Sequence, residues 1–250
     1  MQFNQRVAMI TGSGSGIGEG IAKRLSELGV KIVINDVESS KVDRVVGEIK
    51  ESGGEAMGIV ADITKFNEVQ DMFKAIVDRF GRIDILVNNA GIAIDKSIRK
   101  LTESDWDKVL AVNLKGAFLT SKVAVDYMWG QSYGRMVNIA SRAWLGGPGQ
   151  TNYSASKGGM VSMTRTLALE LGKKGITVNC IAPGLINTPL LQSAPEEIKQ
   201  KLYKAQPTGK IGDTRDIANA VAFFTSDDAG YITGQVIYVC GGKSLFANIG

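Results

Sequence analysis

Short apolar runs rich in β-branched residues recur along the chain at 7–10, 31–35, 57–60, 83–87, 136–140, 176–181 and 235–239. Runs of that length and composition predict seven strands, buried on both faces. Between them lie longer stretches, 16–28, 40–51, 66–80, 103–129, 152–172 and 214–226, in which apolar residues return at helical spacing. Strands alternating with helices predict an α/β fold: a doubly wound, seven-stranded parallel sheet flanked by helices. No repeat, low-complexity tract or Pro/Gly-rich linker interrupts the 250 residues, so one domain spanning 1–250 is expected. The one long irregular stretch, 183–213, opens with Pro183-Gly184-Leu185-Ile186-Asn187-Thr188-Pro189 and contains a short helical pattern near 195–204. A loop of this length is a candidate lid.

Composition narrows the chemistry. Histidine is absent, which excludes Ser-His and Cys-His nucleophilic catalysis and imidazole metal ligation. Cys180 and Cys240, the two cysteines, are far apart and belong to no ligand-spaced cluster, so neither a disulfide scaffold nor a metal site is expected. The net charge of +4 comes from interspersed signs without a basic run, and nucleic-acid binding is not expected. The amino terminus shows neither a secretory pattern nor a membrane span, which points to a cytoplasmic protein without membrane association.

The first strand runs into Thr11-Gly12-Ser13-Gly14-Ser15-Gly16-Ile17-Gly18 and a helix follows. Glycines in a strand-to-helix turn let the backbone approach a pyrophosphate, and the N–H groups of the helix start face the anion. Gly12, Ser15, Gly16, Ile17 and Gly18 are therefore candidate dinucleotide contacts. The spacing, G-x-x-x-G-x-G, differs from G-x-G-x-x-G. Asp36 closes the second strand, 18 residues beyond Gly18. A carboxylate there accepts from a ribose 2′-hydroxyl and repels a 2′-phosphate, which favours NAD over NADP. The alternative is a solvated strand-end residue or helix cap.

Thr11-Gly12…Gly16-Ile17-Gly18, Asn88-Asn89-Ala90-Gly91, Asn113, Ser141, Tyr153-Ser154-Ala155-Ser156-Lys157 and Pro183-Gly184 occur in the order of the classical short-chain dehydrogenases/reductases. The sequence resembles that family over essentially its whole length. The resemblance implies a Rossmann-like domain, with cofactor contacts mainly in the first half and catalytic and substrate elements mainly in 139–215. It places Asp62 and Ile63 beside the adenine and Asn89, Ala90 and Gly91 along the cofactor. Pro183, Gly184, Ile186 and Thr188 would lie near the nicotinamide. It also implies a tetramer.

Tyr153 and Lys157 are four apart on a predicted helix, so both side chains serve one small volume. A free tyrosine ionises near pH 10, roughly, and needs positive charge to act as a base at neutral pH; Lys157 and the oxidised nicotinamide would supply it. Ser141, just past an apolar strand, can bond the substrate oxygen. The resemblance assigns Asn113 a water in the proton relay from Lys157.

Arg142 and Trp144 follow Ser141 directly. They are candidate substrate contacts for a carboxylate and an aryl group; alternatively they are an exposed arginine and a packing tryptophan. The Ser141–Gly147 segment and the Cys240–Phe246 tail are similar to those of β-hydroxyacyl-CoA dehydrogenases of anaerobic aromatic breakdown. That likeness implies an acyl-CoA such as 2-[hydroxy(phenyl)methyl]succinyl-CoA as substrate, and assembly as a homotetramer or with a related, inactive subunit. Competing readings are an NADPH-dependent 3-oxoacyl-carrier-protein reductase, disfavoured by Asp36, and a non-catalytic cofactor-binding regulatory subunit, disfavoured by the intact Asn113, Ser141, Tyr153 and Lys157.

Overall fold

Each apolar run becomes a strand of one parallel sheet: β1 Val7–Thr11, β2 Lys31–Asp36, β3 Ala56–Val60, β4 Ile85–Asn88, β5 Gly134–Ile139, β6 Ile176–Pro183 and β7 Val236–Val239. The computed structural model describes residue 3 and residues 5–187 and 196–245. The strand order is β3-β2-β1-β4-β5-β6-β7, and all six pairings are parallel. Alternate side chains of a strand face opposite sides, and both sides are apolar. Ala8, Ile10, Ile32 and Ile34 meet Ile21, Leu25, Ile217 and Val221 in one layer. Val7, Met9, Val33 and Leu86 meet Met72, Phe73, Ile76 and Met128 in the other. The result is a single Rossmann-like α/β domain.

The flanking helices are α1 Gly16–Glu27, α2 Ser39–Glu51, α3 Phe66–Phe80, α4 Glu103–Leu110, α5 Ala117–Gln131, α6 Thr151–Leu171, α7 Glu196–Lys204 and α8 Thr214–Thr225. Two of them start in reciprocal caps: the Thr102 hydroxyl accepts from the Asp105 N–H at the head of α4, and Asp213 pairs with Asp216 at the head of α8. The single helix expected over 103–129 is corrected. A π-helical turn, Ala111–Gly116, separates α4 from α5. Its cause is tertiary. The Asn113 side chain accepts the Ile92 N–H at 2.8 Å and donates to the Ile92 carbonyl at 2.9 Å, gripping the loop that follows β4.

The irregular stretch 183–213 is partly ordered by the sheet. β6 runs through Pro183, Ile186 forms an isolated parallel bridge with Gly212, and α7 occupies the predicted helical segment. Thr188 and the residues up to 195 lie outside the described residues, as does Phe246 of the tail. Among the described residues no helix is long and apolar enough to cross a membrane.

Candidate active site

Between β1 and β4 the order of the sheet reverses, and the loops leaving their carboxyl ends diverge into a crevice. The crevice is a cleft of about 680 Å³. One wall is the turn after β1. Gly12 and Gly16 both adopt φ of 60°, a left-handed backbone that side-chain-bearing residues avoid. A Cβ on Gly12 would stand 2.8 Å from the Ala90 Cα, and one on Gly18 would overlap the Gly12 carbonyl and the Asn89 amide. The glycine spacing thus lets α1 and the loop after β4 close on the turn. Gly12, Ser15 and Ile17 line the cleft, Gly18 packs behind its wall, and Gly16 supplies the left-handed turn residue at the start of α1.

One hydroxyl joins the two loops. Thr11 Oγ1 accepts the N–H groups of Asn89 and Ala90, each at 3.0 Å, while Asn89 Nδ2 donates to the carbonyls of Thr11 and Gly12. Asn89, Ala90 and Gly91 then continue along the cleft floor.

Asp36 lines the far end. Its Oδ1 accepts the Val37 N–H at 2.8 Å and its Oδ2 accepts the Gly14 N–H at 3.2 Å, which fixes the carboxylate against the glycine turn. The nearby Arg44 guanidinium is already engaged by Glu19, Glu48 and the Gly14 carbonyl. Asp62 and Ile63 line the same end after β3, with Asp62 turned onto Thr64. A glycine turn that a Cβ would block, a fixed carboxylate, and an elongated cleft between them fit a dinucleotide.

At the other end the catalytic candidates come together. Tyr153, Lys157 and Ser141 line the cleft together, and the Ser141 hydroxyl bears on the Tyr153 phenol. Lys157 is 3% exposed. Its Nζ donates to the Ile139 carbonyl at 2.8 Å and stands 5.8 Å from the centroid of the Tyr153 ring. Burial pushes the Lys157 ammonium down to about 8. Burial also raises the Tyr153 phenol; the Ser141 hydroxyl opposes this, and the Asp95 charge adds to it. The net shift is opposite to the one expected from Lys157, because loss of water around the ring outweighs the opposing influence of Ser141.

Asn113 lies just behind, fully buried. A Cβ on Gly91 would sit 3.3 Å from Asn113 Oδ1 and 3.4 Å from Lys157 Nζ, so the three positions are contiguous. Asn113 Nδ2 also donates to Ser156, whose hydroxyl donates to the Tyr153 carbonyl. Pro183, at the end of β6, and Gly184 and Ile186, just past it, close the cleft.

Arg142 and Trp144 are not among the cleft-lining residues. They occupy a turn of 3₁₀ helix, Arg142–Leu145, in which the Ser141 hydroxyl accepts the Ala143 N–H. Trp144 stacks on Tyr238 with ring centroids 6.4 Å apart. Arg142 makes no ion pair among the described residues. Sequence reasoning missed Ile92, Ala93 and Val112, which line the cleft, and Asp95, whose charge reaches Tyr153. Ile92 and Ala93 directly follow the Asn88–Gly91 turn, at the carboxyl edge where ligands bind, and that position was the available signal.

A family model described as enoyl-(acyl carrier protein) reductase matches residues 12–244. Together with the relatives below, this shows that the chain belongs to the short-chain dehydrogenase/reductase family. It is an enzyme, an NAD(P)-dependent oxidoreductase acting on a hydroxy or oxo small-molecule substrate. A (2S)-[(R)-hydroxy(phenyl)methyl]succinyl-CoA dehydrogenase subunit, BbsD, of Thauera aromatica is 54% identical over 247 residues, covering 99% of this chain and 100% of that protein. A 3-oxoacyl-[acyl-carrier-protein] reductase, FabG, of Thermotoga maritima is 38% identical, covering 97% of this chain and 99% of that one. Among solved structures, a putative gluconate dehydrogenase from Agrobacterium tumefaciens superposes with a TM-score of 0.94 at 32% identity, covering 98% of each chain. The likeness to β-hydroxyacyl-CoA dehydrogenases thus has a relative behind it.

Proposed function

We propose that the chain oxidises a β-hydroxyacyl-CoA to the β-oxoacyl-CoA with NAD, using Tyr153 as the proton acceptor. The observation that carries this reading is one cleft with the fixed Asp36 carboxylate at one end and Ser141, Tyr153 and Lys157 at the other. The bound nicotinamide would supply a hydride acceptor. Gly12, Ser15, Ile17 and the start of α1 would hold its pyrophosphate, Asp36 its adenine ribose, and Asn89, Ala90, Gly91, Pro183, Gly184 and Ile186 the remainder.

Ser141 holds the substrate hydroxyl against Tyr153. The phenolate takes the hydroxyl proton as the C–H hydride leaves the same carbon, and the carbonyl forms. Lys157, kept protonated at neutral pH and fixed on Ile139, stabilises the phenolate, while Asn113 braces the loop and helix that bring Tyr153 and Lys157 together. In reduction the same phenol returns the proton. The relative from Thauera aromatica supports an aromatic acyl-CoA carrying a second carboxylate, for which Arg142, directly after the oxygen-holding serine and in no ion pair among the described residues, is a candidate cation. The same relative is named a subunit, which supports assembly with a related chain as well as a homotetramer.

The test is a panel of NAD and NADP against hydroxyacyl-CoA thioesters, acyl-carrier-protein thioesters and simple alcohols, with Tyr153→Phe alongside. The expected result is NAD-linked turnover of a hydroxyacyl-CoA, abolished in Tyr153→Phe although the variant still binds cofactor. Turnover retained by Tyr153→Phe would defeat the mechanism. Faster turnover of acyl-carrier-protein substrates with NADPH would replace the acyl-CoA reading by a carrier-protein reductase.

A further inference from the structure

The residue before Tyr153 joins three elements around it. Asn152 is fully buried. Its Nδ2 donates to the carbonyls of Ile94, in the loop after β4, and Asp105, on α4, each at 3.3 Å. Its Oδ1 accepts the Tyr153 N–H at 2.8 Å. The start of α6 explains the need. First-turn N–H groups have no helical acceptor, and Gln150, in the capping position, offers no side-chain cap. Asn152 satisfies the Tyr153 N–H from inside the first turn and spends its two protons on the neighbouring elements.

The loop it grips is held at further points. The Lys96 N–H donates to the Gly149 carbonyl at 2.9 Å, Gln150 donates to Asp95 at 3.0 Å, and Asn113 holds Ile92. Ile92 and Ala93 of this strap line the cleft. The strap is therefore anchored at the start of the helix that carries the phenol, where Asn152 holds the Tyr153 N–H and Ser156 holds the Tyr153 carbonyl.

We infer that Asn152 is a positioning residue that sets Tyr153 against the substrate wall, an inference that rests on Tyr153 being the proton-transfer group. A displacement of about 1 Å in a reacting group costs on the order of 100-fold in rate, and Asn152 fixes both the phenol's backbone and the opposing wall. Asn152→Ala removes all three bonds. The expected result is a fall in kcat of about tenfold or more, with the NAD Kd unchanged, at a temperature where circular dichroism shows the variant folded.

Asn152→Asp keeps the acceptor for the Tyr153 N–H and, while protonated, one donor. Once ionised it aims a charge at two carbonyl oxygens. The charged groups around it are Asp95 and Lys96 on the strap and Asp105 on α4, where Lys96 and Asp105 pair at 2.7 Å, with Tyr153 the titratable group on α6. The kcat of Asn152→Asp relative to wild type at the same pH should fall as that carboxyl ionises, a limb a merely structural cap would not produce. A lowered Tm with wild-type kcat in Asn152→Ala, or a flat ratio across pH in Asn152→Asp, overturns the inference. Tyr153→Phe measured beside them separates the cases: turnover surviving there sinks the parent mechanism, whereas its loss alongside wild-type kcat in Asn152→Ala sinks only this inference.

Discussion

Removing the charge of Asp36 while keeping its shape, as in Asp36→Asn, should shift the cofactor preference from NAD toward NADP. Two effects follow from the structure. The carboxylate holds the N–H groups of both Val37 and Gly14. An amide has one acceptor oxygen and can serve only one of these, so the glycine turn loosens and both cofactors bind less well. The second effect separates them. A hydrogen bond to a charged group contributes about 1.5–3 kcal/mol, so loss of the ribose acceptor weakens NAD by about 10- to 150-fold. A 2′-phosphate gains instead, because the like charge facing it is gone. Arg44, held by two carboxylates and a carbonyl, supplies little further attraction. The ratio of Kd for NADP to Kd for NAD cancels the loosened turn and isolates the charge. Titration of both cofactors by quenching of protein fluorescence gives that ratio, which should fall by about 100-fold in Asp36→Asn. An unchanged ratio, or a wild type that prefers NADP, would refute the assignment of Asp36 to the ribose.

Asp95→Asn removes a charge that raises the Tyr153 phenol; the ascending alkaline limb of the oxidation profile should move to lower pH, and an unmoved limb would show that Asp95 does not bear on the reacting proton. Arg142→Ala should raise KM for a thioester bearing a second carboxylate and leave a simple secondary alcohol nearly unaffected, and equal losses would assign Arg142 to the fold. Gly18→Ala places a Cβ against the Gly12 carbonyl, so it should lower stability by about 1–3 kcal/mol and weaken cofactor binding; an unchanged thermal midpoint would contradict the packing described for α1.

The sheet was legible because its signal is local. Runs such as Met136-Val137-Asn138-Ile139 admit few readings, and the i,i+4 spacing of Tyr153 and Lys157 placed both at the cleft as helical geometry requires. What the sequence did not disclose depends on partners distant in the chain. The break at Ala111–Gly116 follows from Asn113 capturing a backbone 21 residues away, which no helical periodicity encodes. Trp144 reads as either an aryl contact or a packing tryptophan, and its stacking on Tyr238 depends on a residue of the last strand. Asn152 carries no motif of its own: an asparagine at a helix start reads as an ordinary cap, and its bonds to Ile94 and Asp105 exist only once the strap has folded over. Asp95 looks like one more solvated loop acid until the fold brings it near the phenol.

The crevice has a consequence for how such a protein can change. The groups that would grip the cofactor's adenosine end come from residues 12–63, and those that would meet the substrate come from 92–157. The Thr11 hydroxyl and the Asn89 amide join the two sets at the floor. Substitutions at Asp36 and at Arg142 share no partner, so their free-energy effects should add. Redox currency and substrate can then be exchanged one at a time in laboratory evolution, provided the threonine–asparagine seam is left alone.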